Sequence, residues 1–141
     1  MNTIQLLTNL PIDLRNKILS LTYKKQDNDL LKDITHNYES KLYIKRLYNN
    51  YWCIEPDEPF MEWLVNDIII FLNNNKPTMF YLTNKYRDIV TRNIHIGTED
   101  AIAFIERTDF LNINTQFTIY WSLLQIHERE TILKTSIDKI N

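Results

Sequence analysis

The chain has 141 residues, 44% of them hydrophobic and 24% charged, with a net charge of −2. That balance excludes a disordered polymer and predicts one globular domain, residues 1–141, burying about two-thirds of its unfolded surface without metal or disulfide support. A single cysteine, Cys53, rules out an internal disulfide. A single glycine argues against a hairpin-rich β fold, whose tight turns need Gly at φ > 0.

The first helical pattern is LPIDLRNKILSLTYK, residues 10–24. Pro11 suits a first helical position, where its missing N–H has no partner in any case. Leu14, Ile18 and Leu21 follow at i, i+4 and i+7, one stripe of a 3.6-residue helix. Ile12, Leu19 and Tyr23 make a second stripe on nearly the opposite side. Two apolar faces mean either a helix sandwiched inside its own bundle, or one face on the core and the other on a partner. Asp27 or Asn28 caps the next helix, which carries Leu30, Leu31, Ile34 and Tyr38. It either continues or breaks near 37–40, into Leu42, Ile44, Leu47, Tyr48, Tyr51 and Trp52.

The segment EPDEP at 55–59 breaks the pattern and starts a helix at Pro59. From Phe60 to Leu72 apolar residues occupy most directions, leaving a narrow polar strip of Glu62, Asn66 and Asn73. This reads as the central helix, buried nearly all round. Residues 73–77 (NNNKP) interrupt it, and Pro77 and Thr78 are expected to open a helix bearing Leu82, Tyr86 and Ile89. Gly97 precedes Thr98, a good N-cap, with Glu99 and Asp100 in the turn that follows. That helix carries Ala101, Ile102, Phe104 and Ile105. A further helix from about Asn114 places Phe117, Trp121 and Leu124 on one side and Ile119, Leu123 and Ile126 on the other. A final amphipathic segment carries Leu133, Ile137 and Ile140. The expected fold is all-α, a compact bundle of six or seven short helices around a central buried helix.

Two stretches carry a family resemblance. Residues 10–24, with Leu-Pro followed by Leu14, Ile18, Leu19 and Leu21, resemble the opening of an F-box, and 8–52 is the extent of the F-box-like segment. Residues 113–130 (INTQFTIYWSLLQIHERE) and 63–73 (WLVNDIIIFLN) are similar to the C-terminal and middle helices of F-box-like proteins of giant DNA viruses. That resemblance implies an intracellular protein, in host cytoplasm or virion, that recruits host ubiquitin-ligase machinery through a Skp-type adaptor. Leu10, Pro11, Leu14, Lys17, Ile18 and Leu21 are the partner-binding residues it implies. A virion or structural protein that self-associates through its helices, as a homo-oligomer, is the alternative.

Chemistry-bearing patterns are sparse. His36, His95 and His127 are far apart, and neither Cys-x-x-Cys nor His-Glu-x-x-His occurs, which speaks against a zinc site. One glycine leaves no phosphate-cradling loop. The density of charge at 127–130 (HERE) reads as a solvated helix cap. No catalytic or cofactor-binding residues are assigned, and the expectation is not an enzyme. Lys41, Lys45 and Arg46 form the one candidate basic patch for nucleic acid, third in rank because such a patch is usually a solvated helix face. No apolar run approaches the ~20 residues of a membrane span, and the N-terminus has no leader pattern.

Overall fold

The computed structural model describes residues 10–22, 26–52, 60–78, 81–94 and 97–140. Cys53, His95 and the 55–59 break lie outside them. Among the described residues there are seven helices and no strand, the all-α architecture expected. They are α1 (Ile12–Thr22), α2 (Asn28–Trp52), α3 (Phe60–Leu72), α4 (Asn84–Ile94), α5 (Thr98–Asp109), α6 (Ile113–Leu123) and α7 (Ile126–Ile140). The chain divides into two compact units, Met1–Lys32 and Asp33–Asn141.

In the first unit α1 follows Pro11, whose carbonyl accepts from the Arg15 N–H at 3.0 Å. α2 begins there too. Asp27 is its cap, with Oδ1 accepting from Asp29 N at 2.8 Å and its carbonyl from Leu31 N at 3.0 Å. The helix does not break at 37–40. No Pro or Gly lies between 28 and 52, and Ser40 bonds back to the Asn37 carbonyl at 3.3 Å.

The core belongs to the second unit. α3 packs most extensively on α6, while α4 meets α3, α5 and α6. Leu64, Ile68 and Leu72 point from α3 into a cluster with Phe117, Tyr120, Trp121 and Leu124. Ile44 and Tyr48 of α2 and Ile132 of α7 join the same cluster. Burying an aliphatic side chain of this size contributes about 1.5–3 kcal/mol. The Trp121 indole N–H, which needs a partner when buried, donates to Ser40 Oγ at 3.1 Å.

Four local expectations are corrected. α3 is buried on most sides, but Trp63 joins Glu62 and Asn66 on its exposed side, and Asn73, assigned to its polar strip, is fully buried. No described residue of 77–83 is helical, and α4 starts only at Asn84, capped by Thr83. The buried amide of Asn73 holds this connection: Nδ2 donates to the carbonyls of Lys76, Pro77 and Tyr81, and Oδ1 accepts from Thr83 N at 2.7 Å. At α5 the N-cap is Gly97 rather than Thr98, with φ −66° and no side-chain cap. The charge at 127–130 is no solvated cap either, since Glu128 and Arg129 are buried.

The end of α3 shows how a chain with one glycine stops a helix. Asn75 N bonds to Ile70 O at 2.8 Å and Asn74 N to Phe71 O at 3.1 Å, the paired bonds of a Schellman motif. Asn74 and Asn75 both take φ 58°, the left-handed region that asparagine tolerates better than other residues with a Cβ.

Candidate interaction surfaces and buried polar centres

Of the residues assigned to partner binding, Leu10 is half-buried, and Pro11, Leu14, Lys17, Ile18 and Leu21 are exposed. Leu14 is 50% and Leu21 74% exposed, and Ile12 on the other stripe is exposed as well. Leu19 and Tyr23 lie outside the described side chains. Arg15 reaches back to the Leu10 carbonyl at 3.4 Å, tying the Leu-Pro entry to the helix.

A second exposed apolar stripe lies on α2, where Ile34, Tyr38 and Leu42 recur at i, i+4 and i+8. Another face of α2 carries Ser40, Ile44 and Tyr48 into the core. Of the candidate basic patch, Lys45 lays its ammonium 5.7 Å from the centre of the Phe117 ring, so that it covers the core as well as facing water.

Two buried charge centres went unread in the sequence. Arg129, on α7, is buried beneath α2. Its Nη1 lies 3.0 Å from Asp33 Oδ1, and its remaining contacts (Trp121 O, Asp33 O and His36 Nδ1) are each 3.4 Å. The other ring nitrogen of His36, Nε2, lies 3.8 Å from Glu130 Oε1. Glu128 ion-pairs with Arg92 of α4 and accepts from Gln125 N at 2.8 Å, the reach-back half of a capping box. Burial pushes the Glu128 carboxyl up, but the bonds from Arg92 and the Gln125 backbone, with the Arg92 charge, outweigh it and hold the group below the usual carboxylate range. Asn93 completes this joint by donating to the Leu123 carbonyl at 2.7 Å.

A third polar centre joins α2, α3 and α7. Tyr48 donates to Asp67 Oδ2 at 2.5 Å, and Lys139 Nζ lies 3.6 Å from the same oxygen. Burial first, then the Asp67 hydrogen bond, raises the Tyr48 phenol well above its ordinary range. A cavity of about 280 Å³ opens beside them. On the other side of α7, a shallow open groove of about 490 Å³ runs between His36, Ser40 and Tyr43 of α2 and Leu133 and Ile137 of α7.

Among the described residues no group of three or more His, Cys, Asp or Glu side chains could hold a metal ion, and no helix is long and apolar enough to cross a membrane. Comparison with protein-family models, with curated proteins and with solved structures finds no match for this chain.

Proposed function

We propose that this chain is a protein–protein interaction module that docks through α1 onto a Skp-type adaptor and so recruits ubiquitin-ligase machinery in a virus-infected cell. The observation that carries this reading is the exposure of Leu14, Ile18 and Leu21 on one short helix. Partner grooves that accept an amphipathic helix read apolar anchors at this spacing. The Leu-Pro entry at Leu10 and Pro11 and the cation at Lys17 complete the F-box-like pattern. The test is a pull-down of a purified Skp-type adaptor by the full chain, with Leu14→Ala/Ile18→Ala as the variant. Capture lost in the variant, with an unfolding midpoint close to wild type, is expected. No capture by the wild-type chain, or equal capture by the variant, overturns the reading.

A second reading, self-association as a structural protein, is favoured by the Ile34, Tyr38 and Leu42 stripe on α2. Light scattering on the purified chain separates the two. A dimer dissociated by Tyr38→Glu and indifferent to Leu14→Ala/Ile18→Ala supports self-association, and a monomer at high micromolar concentration dismisses it.

A further inference from the structure

α1 has little of its own to keep it helical. It is 11 residues long, and an isolated helix shorter than roughly 12–15 residues is marginal in water even when rich in alanine. Ile12, Asp13, Asn16, Ile18, Ser20 and Thr22, more than half of it, belong to the poorer helix formers. Pro11 and Asp13 favour the start, but the last turn carries no basic residue to meet the negative end of the dipole. Ser20 turns its hydroxyl back onto the Lys17 carbonyl at 2.8 Å, a bond that competes with the helix rather than extending it.

Packing does not make up the difference. Most helical stability in proteins comes from burying an apolar face, and no described side chain of α1 is buried; all but Arg15 are exposed. The buried apolar cluster begins at Ile44 and lies wholly in the second unit. Segments with few buried contacts and solvent-exposed backbone bonds are those that open at lowest cost. Opening α1 therefore costs far less free energy than opening the core.

We infer that α1 completes its folding on its partner. In the free chain it exchanges between helix and coil, and docking selects the helical form and holds it. The identity of the partner rests on the adaptor reading above; the behaviour of the free chain does not. Only the helical fraction is competent to dock, so apparent affinity falls in proportion to that fraction. Whatever raises the helix raises the affinity without touching a contact. Asn16 and Ser20, four residues apart on the side of α1 away from Leu14, Ile18 and Leu21, are the positions at which to do so.

The experiment measures amide exchange and Cα chemical shifts of the full chain at pH 7, in wild type, Asn16→Ala/Ser20→Ala and Asn16→Gly/Ser20→Gly. Wild-type amides from Asn16 to Leu21 should be protected less than about tenfold, and those of Leu64, Ile68 and Trp121 about a thousandfold or more. The alanine pair should raise the helical Cα shifts throughout α1 and the glycine pair lower them, with core amides unchanged in both. Against a purified Skp-type adaptor, the alanine pair should bind about threefold or more tightly than wild type and the glycine pair about threefold or more weakly. Protection in α1 within about tenfold of that in α3 overturns the inference. So do wild-type Cα shifts that are already fully helical and unmoved by alanine, or an adaptor affinity that is the same in all three chains. A wild-type chain that binds no adaptor defeats the adaptor reading, and exchange in the free chain then decides by itself whether α1 is preformed.

Discussion

Replacing Asp33 by Asn tests whether the Arg129 guanidinium depends on one counter-charge. Arg129 is 1% exposed, so almost none of its hydration survives folding. Three of its four contacts are 3.4 Å long, at the weak end of hydrogen bonding, and only the 3.0 Å approach to Asp33 Oδ1 is short. Removing one partner of a fully buried pair costs about 3–5 kcal/mol, because the other charge is left uncompensated. The Asp33 side chain is 44% exposed, so water screens the pair and enters when the charge is lost. That halves the figure, and Asp33→Asn should destabilise by about 2 kcal/mol. Arg129→Met removes the charge together with its need and keeps most of the buried volume, so it should cost less, about 1 kcal/mol. Urea unfolding of both variants at pH 7 measures the order. If Asp33→Asn lies within about 0.5 kcal/mol of wild type while Arg129→Met costs more than about 3 kcal/mol, Arg129 is held by its packing and carbonyl contacts and the counter-charge argument is wrong.

Asn73→Ala should destabilise by about 3 kcal/mol, because three carbonyls and the Thr83 N–H lose a buried partner together, and amide exchange at Thr83 should accelerate with it. Gly97→Ser should stabilise by about 0.5–1 kcal/mol in thermal unfolding. The site has negative φ, an added Cβ comes no nearer than 3.5 Å to Asp100 Oδ2, and serine both caps the helix and restricts the unfolded chain. Glu128 has a folded pKa below its ordinary value of 4.5, so its contribution is complete above that pH and is lost as pH falls through the folded value. The stability gap between wild type and Glu128→Gln should accordingly be widest near neutrality and close below pH 4.5, a trend that urea midpoints at successive pH values will check.

Much of the helical framework was legible because apolar residues repeat with the helical period. Phe117, Trp121 and Leu124 were placed together by spacing alone, and all three are buried, although Leu124 is the residue that caps α6 rather than part of it. Periodicity reads burial from hydrophobicity, however, and is blind to polar groups whose partners lie far along the chain. Arg129 meets Asp33 across 96 residues, and Glu128 meets Arg92 across 36, so a run of four titratable residues looked like a solvated cap. Asn73 failed for the same reason at shorter range: its acceptors are the carbonyls of a loop whose conformation its own side chain sets. Thr98 outranks Gly97 as an N-cap on propensity, and only the backbone angles of Gly97 show that the helix starts one residue earlier. At α1 the spacing found the stripe of Leu14, Ile18 and Leu21 but not the exposure of those residues, because spacing reports which residues share a face and not what covers it.

The double left-handed asparagine that ends α3 bears on how this sequence tolerates drift. Glycine codons are rich in G and C, whereas those for asparagine, isoleucine, lysine and tyrosine are rich in A and T, and the chain is heavy in these four with a single Gly. A genome under that pressure loses the residue best suited to positive φ. Asparagine is the next best, and Asn74 and Asn75 hold that conformation at the end of α3. An all-helical architecture asks for few such positions, fewer than a sheet of hairpins of the same length. Composition and fold are thus compatible here: a chain with one glycine still has nearly everything a helical bundle needs.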